Sequence, residues 1–284
     1  MNIAISGASG FIGTYLTSFF QSKGYGVIPI TRTLLKDSLK LKQSLLVCEA
    51  VINLAGANIN HRWSRKYKKE LEESRITTTR TLACAIDRLN IKPRLFISAS
   101  AVGYYASGGC HDEYSGIKGE GFLSDLCREW EESSHRVMPK VRVVNARFGV
   151  VLCKTGGAFP KMISGHKAGF TFIPGNGRQY LSWIDIADLA AAMEFIIDTP
   201  ELKGAVNFTA PCRMTYGAFA KSLARRYHTP FLLRIPAPLL KAVRGEAAGI
   251  LTESLCAEPA KLLAAGFTFR SPTLEAFIGS EDFA

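Results

Sequence analysis

At 284 residues, with 47% hydrophobic and 21% charged residues, the chain can bury a large core, which excludes a disordered or fibrous protein. No apolar run reaches the roughly 20 residues of a membrane span, and Met1 leads straight into the first predicted strand, so a cytoplasmic protein is expected, or one of an organellar matrix after processing. The net charge of +11 favours anionic ligands without choosing between a dinucleotide and nucleic acid.

Residues 2–6 form a short apolar run typical of a buried parallel strand, and Gly7, Gly10 and Gly13 follow at the spacing GxxGxxG. A helical pattern begins at Phe11-Ile12-Gly13 and runs to about residue 23, where Gly24 closes it. In this strand, turn and helix, Gly7 takes a turn geometry closed to residues with a Cβ. Gly10 lets the backbone approach a pyrophosphate, and Gly13 lets the helix pack close to the strand. The helix N–H groups that follow Ser9, at Gly10, Phe11 and Ile12, then face the phosphates. A dinucleotide site is expected here.

Residues 26–31 make a second strand, ending in Thr31-Arg32-Thr33. An acidic residue at this place would take the adenine ribose hydroxyls of NAD. A guanidinium at Arg32 pairs instead with a 2′-phosphate, with Thr31 as a hydrogen-bond donor, so NADP(H) is favoured over NAD. A reduced third strand is expected near 38–41. The next buried strand is 50–54, ending at Leu54 and running into Ala55-Gly56-Ala57, whose small residues allow close approach of a cofactor. Ser64 is placed as N-cap of a long helix ending near Leu89, with Leu71, Thr78, Leu82, Ala85 and Leu89 on its buried stripe. A strand at 94–98, a helix at 119–134 and a strand at 140–147 complete an alternation that predicts a doubly wound parallel sheet with right-handed crossovers.

After residue 151 the rhythm changes to loop and helix over 156–168, the turn Pro174-Gly175-Asn176-Gly177, a short strand at 180–184 and a helix at 185–197. A strand-like run at 204–209, a helix at 215–227, a strand at 232–236 and a helical tail follow. The expected organisation is a dinucleotide-binding domain over 1–151, also receiving later segments such as 180–210, and a smaller, discontinuous substrate-side lobe over 152–284.

The seven cysteines are scattered and contain no CxxC, so reduced thiols with neither a zinc site nor a disulfide framework are expected. His61, His111, His135, His166 and His228 show no metal-ligand spacing. The densest basic stretch, 62–80, mixes seven Lys or Arg with Glu70, Glu72 and Glu73 at helical spacing. A solvated amphipathic helix is favoured there over a nucleic-acid surface.

GASGFIG, VINLAGANI, ESRITTTRTL, ISASAVGYY, FLSDLCREWE, ARFGVVL and GNGRQYLSWIDIADL, in that order, resemble the extended short-chain dehydrogenase/reductases. The closer resemblance is to an atypical branch labelled "epimerase family protein", also loosely described as a cell-division inhibitor. The resemblance implies a Rossmann-type fold, an NADP(H) cofactor and oxidoreductase or epimerase-like work on a small polar substrate. In the wider family a Ser, a Tyr and a Lys cooperate, with an Asn upstream holding a relay water. Ser100 matches the Ser, with Ser98 as the alternative; Phe122 and Leu123 stand around the Tyr position, Cys127 near the Lys position and Arg75 at the Asn position.

Without the Tyr–Lys pair, a Cys127 thiol can help only if a positive neighbour such as Arg75 lowers its pKa. Arg75 is otherwise a holder of an anionic substrate group or of the cofactor, and Tyr104 and Tyr105 are the phenols nearest Ser100 in sequence. The resemblance places Arg147 beside the nicotinamide, and Arg178, Gln179 and Trp183 along the substrate, while Asp185 and Asp188 are expected to cap the helix after them. The competing expectation is a catalytically silent NADPH-binding sensor or scaffold that shares every cofactor residue.

Overall fold

A computed structural model describes residues 1–280, with residues 166 and 167 described by backbone alone. The chain begins β1 (Asn2–Ser6), α1 (Phe11–Ser22), β2 (Gly26–Ile30), α2 (Arg32–Lys36), α3 (Ser38–Leu46) and β3 (Ala50–Asn53). There follow α4 (Arg65–Glu72), a π turn (Glu73–Thr77), α5 (Thr78–Asp87), β4 (Leu95–Ala101), β5 (Cys110–His111), α6 (Phe122–Ser134) and β6 (Arg142–Phe148). Then come β7 (Val150–Cys153), β8 (Gly156–Gly157), α7 (Phe159–Met162), β9 (Phe170–Pro174), β10 (Trp183–Asp185), α8 (Ile186–Asp198) and β11 (Gly204–Phe208). The last are α9 (Tyr216–Arg226), β12 (Phe231–Ile235), α10 (Ala237–Arg244), α11 (Gly249–Thr252), β13 (Cys256–Ala257), α12 (Ala260–Ala264) and α13 (Leu274–Gly279).

Six of the strands form one parallel sheet in the order β11-β6-β4-β3-β1-β2. Alternation with period two sorts its side chains. Ile3, Ile5, Ile52, Ile97 and Val144 join one core with Leu16 and Phe20 of α1 and Leu189, Met193 and Ile196 of α8. Ala4, Val51, Phe96 and Val143 join a second core on the opposite face, with Leu41 and Leu45 of α3 and Leu82 and Ile86 of α5. Pro29 lies in β2, an edge strand, where a missing N–H leaves no ladder bond unmade on the outer side. A third core of Leu152, Phe159, Trp183, Phe219, Leu223, Leu274 and Phe277 is built wholly from residues beyond 151.

Several elements differ from the sequence expectation. Residues 38–46 are helical, with no strand near 38–41, because Asp37 caps the segment by accepting a hydrogen bond from Lys40 N at 3.0 Å and β1 already pairs with β2 and β3 on its two sides. The helix placed at 64–89 contains a π turn at residues 73–77. Leu71, Leu82 and Leu89 of the expected stripe are buried, while Thr79 and Ile86 are buried in place of Thr78 and Ala85. The strand expected at 180–184 forms at Trp183–Asp185 instead, with Tyr180 and Leu181 making isolated bridges.

The expectation of reduced thiols without a disulfide is also corrected: Cys110 and Cys256 form one. They are partners in the register of β5 against β13, and their separation of 146 residues leaves no local spacing to read. Among the described residues, the one trio of His, Cys, Asp or Glu close enough for a metal is Cys110, Cys256 and Glu258, and its two sulfurs are bonded to each other. No helix among those residues is long and apolar enough to cross a membrane. The His166 side chain lies outside the described residues.

Candidate functional site

The C-terminal ends of the central strands converge at the turn after β1. Gly7 has φ +73°, and a Cβ there would come within 2.9 Å of the Leu54 carbonyl carbon. At Gly13 a Cβ would stand 2.1 Å from the Gly7 carbonyl oxygen, so α1 packs directly on the turn. Gly10, the N-cap of α1, has no side chain to cap the helix, and Ser9 and Gly10 are exposed. The first-turn N–H groups are thus presented at the sheet edge, where anions are favoured. Phe11 also packs its ring against Gly156 and Gly157, and Ile12 packs against the core under α1.

Beside this turn, Thr31 uses its hydroxyl to accept from Leu34 N at 3.1 Å and so caps α2, while Arg32 is exposed in the first turn of that helix. Leu54 and Ala55 are half-buried and Gly56 is exposed. A buried polar chain fixes this region from below. Ser6 Oγ donates to Asn53 Oδ1, Asn53 Nδ2 donates to Thr79 Oγ1 at 2.7 Å, and Thr79 Oγ1 donates to the Arg75 carbonyl at 2.7 Å. Trp130 Nε1 of α6 donates to the same Thr79 oxygen at 2.9 Å. Each of these buried groups is satisfied, which locks β1, β3, the π turn and α6 together.

Ser100 and Arg147 are register partners on β4 and β6, so their side chains leave the sheet side by side. Both meet Glu131 of α6. Ser100 Oγ donates to Glu131 Oε1 at 2.7 Å, Arg147 Nε to the same oxygen at 2.7 Å, and Arg147 Nη2 to Oε2 at 2.8 Å. Burial alone pulls the Arg147 guanidinium down, but hydrogen bonds and charge from Glu131 outweigh it and hold its pKa above the usual arginine value. The Arg147 guanidinium lies 3.6 Å from the Tyr104 ring centroid and 4.9 Å from that of Tyr105. Tyr105, buried, donates to Asn207 Oδ1 at 2.8 Å.

Glu131 is the residue that reading by motif missed. Its signal was available: it falls four residues after Cys127, on the buried face of α6, where an unpaired carboxylate would be too costly to keep. Ser98, the alternative to Ser100, is fully buried and bonds only weakly, to the Ala99 carbonyl at 3.5 Å.

Cys127 is 1% exposed, and burial followed by the Glu131 charge pushes its thiol up to about 12. The lowered pKa that a proton-carrying thiol needs is therefore not what this site produces, even with Arg75 nearby. Arg75 is itself buried and not on a solvated helix face.

In the second core the geometry also revises expectations. Trp183 is 1% exposed among Phe159 and Phe277, and Gln179 spends its amide on the Pro174 and Leu251 carbonyls at 2.8 and 2.9 Å. Both are buried within the lobe, and Arg178 is exposed. Asp185 caps α8 through Ala187 N at 3.1 Å, while Asp188 accepts from Arg270 N and Ser271 N at 2.7 and 2.9 Å, tying the C-terminal tail to that helix.

Residues 3–208 match the NAD dependent epimerase/dehydratase family, and residues 235–280 match a domain of unknown function (DUF1731). An epimerase family protein of Mycobacterium tuberculosis is 36% identical over 98% of this chain and 96% of its own length. Epimerase family protein YfhF of Bacillus subtilis is 35% identical, covering 97% of this chain and 96% of its own. The crystal structure of human epimerase family protein SDR39U1 (isoform 2) with NADPH superposes with a TM-score of 0.89 at 31% identity, covering 97% of each chain.

Proposed function

The chain belongs to the NAD dependent epimerase/dehydratase family, and we propose that it binds NADPH along the C-terminal edge of the sheet and acts as an oxidoreductase or epimerase-like enzyme on a small polar substrate. The observation that carries this reading is the convergence of four features on that edge: the uncapped start of α1, the exposed Arg32, the small residues at 55–56 and the Ser100–Glu131–Arg147 cluster. The turn fits a dinucleotide by its own geometry, since Cβ atoms at Gly7 and Gly13 would collide with backbone that must stay close. Arg32 favours a 2′-phosphate, and the similar human protein was crystallised with NADPH.

When bound, the nicotinamide supplies or accepts hydride. The chain's own residues handle the substrate proton. Because Ser100 donates its hydrogen to Glu131, the lone pairs of its Oγ are left to accept from a substrate hydroxyl. A substrate hydroxyl losing its proton passes it to Ser100 Oγ while the Ser100 proton passes to Glu131 Oε1; reduction of a carbonyl runs the same transfers in reverse. Arg147 holds the carboxylate in place with two hydrogen bonds, and Tyr104, half-buried against Arg147, is the second proton carrier in this reading. One observation favours the silent sensor or scaffold instead: the buried, protonated Cys127 stands where the family's Lys would be.

Fluorescence titration is expected to give NADPH a Kd at least about tenfold below that of NADH, and Arg32→Ala is expected to remove most of the difference, since an ionic hydrogen bond contributes about 1.5–3 kcal/mol. Equal Kd values in the unmutated protein would overturn the NADPH assignment. Turnover of NADPH with fractionated metabolites that slows in Ser100→Ala supports the enzyme, and tight binding without turnover supports the sensor.

A further inference from the structure

We propose that Arg75 is the binding group for an oxyanion, a carboxylate or phosphate carried by the substrate, beside the nicotinamide end of the cleft; this rests on the cofactor placement just given. Two buried arginines, Arg75 on the π turn and Arg147 near the end of β6, differ in one respect. Arg147 is neutralised by two hydrogen bonds to Glu131. Arg75 is 8% exposed and makes no ion pair among the described residues. Its guanidinium donates only to neutral oxygens: Ala57 O at 2.9 Å, Leu71 O at 3.3 Å and Ser74 Oγ at 3.4 Å. The Trp130 ring lies 5.2 Å away, and the nearby titratable groups, Cys127 and Tyr67, are neutral at ordinary pH.

A buried charge without a counter-charge is costly, and folds retain such groups where a ligand supplies the missing partner. Two further features of the chain accommodate this side chain. The π turn at 73–77 is a departure from regular helix that recurs at functional sites, and Arg75 stands at its centre. Gly56, exposed after β3, lies flat on the guanidinium: a Cβ there would be 3.0 Å from Cζ and 3.2 Å from Nη2.

Arg75 borders the cofactor segment at Gly56, and its assignment to the substrate rests on its neighbours beyond that glycine. The pyrophosphate is assigned to the start of α1, at the end of β1. Arg75, on the π turn, instead lies between the loop after β3, where it donates to Ala57 O, and Cys127 and Trp130 of α6, the helix whose Glu131 holds Ser100. A substrate anchored there by a carboxylate or phosphate would present its neutral part to Ser100.

The test titrates malonate and inorganic phosphate, separately, into NADPH-loaded protein, followed by calorimetry and by NADPH fluorescence. Unmutated protein is expected to bind at least one of the two saturably. Arg75→Gln is expected to weaken that binding at least tenfold while leaving the NADPH Kd within about threefold, and Arg75→Lys is expected to fall between. A tenfold loss of NADPH affinity in Arg75→Gln would assign the guanidinium to a cofactor phosphate and overturn the substrate assignment. Saturable anion binding undiminished in Arg75→Gln, or none in the unmutated protein, would overturn it as well. Gly56→Ala, which crowds the guanidinium without removing its charge, gives an independent variant should Arg75→Gln fail to fold, and it too should weaken the anion. Failure of the unmutated protein to bind NADPH would sink the cofactor reading alone, because the same anion titration can be run on the cofactor-free chain.

Discussion

Replacing Glu131 by Gln isolates one charge at the heart of the site. The carboxylate receives three hydrogen bonds, from Ser100 Oγ at 2.7 Å and from Arg147 Nε and Nη2 at 2.7 and 2.8 Å, and Arg147 is only 4% exposed. An amide of the same shape can keep one acceptor oxygen but must turn an NH2 donor toward one or two of these donors. Arg147 is then left charged, buried and without a counter-ion, a situation that costs about 3–5 kcal/mol. For a chain of this size each kcal/mol moves the midpoint by roughly 2 °C, so a fall of about 6–10 °C is expected in thermal unfolding. Ser100→Ala removes one donor to the carboxylate and leaves both charges paired, and should cost about 1.5–3 kcal/mol. The double variant Glu131→Leu with Arg147→Met removes both charges together and should be more stable than Glu131→Gln, because no lone charge remains buried. Urea unfolding of the full set measures the coupling. A loss below about 1 kcal/mol for Glu131→Gln, or a double variant that loses the sum of its two single changes, would refute the view of this pair as a mutually neutralised buried unit.

Two more outcomes are expected. The Cys127 thiol is held up to about 12 in the fold against 9.0 ordinarily, so above pH 9 the folded chain holds a proton that the unfolded chain releases; stability falls as pH rises through the window from 9 to 12, by on the order of 1 kcal/mol at pH 10. Urea midpoints at pH 8 and pH 10 should therefore separate less in Cys127→Ala than in the unmutated protein, and an identical pH loss in both would count against this cause. Trp183 is fully enclosed, and its indole N–H has no hydrogen-bond partner among the described residues, so Trp183→Phe removes an unsatisfied donor along with part of the ring and should cost under about 1.5 kcal/mol, whereas Trp183→Ala should cost about 3–5 kcal/mol. Equal losses for the two substitutions would show that the indole ring is needed whole.

The elements of the sheet are legible in the amino-acid order because they depend on local pattern. Ile3 and Ile5 alternate with Ala4, and the glycine spacing that follows is a consequence of backbone approach at one turn, so strand, turn and helix could be placed without a partner in view. Arg32 was singled out by its place just after a strand, and Ser100 and Arg147 by the resemblance of the segments that carry them. What the residues do to one another was not legible. The Glu131–Arg147 pair joins α6 to β6, and the Cys110–Cys256 bond spans 146 residues. Even within single helices, the burial of Arg75 on the π turn and the raised pKa of Cys127 on α6 follow from what packs against them. Local sequence determines which groups a segment carries and how they repeat. Charge neutralisation, desolvation and register between distant segments exist only once the chain has folded, and in this protein they are what distinguish a binding turn from a working site.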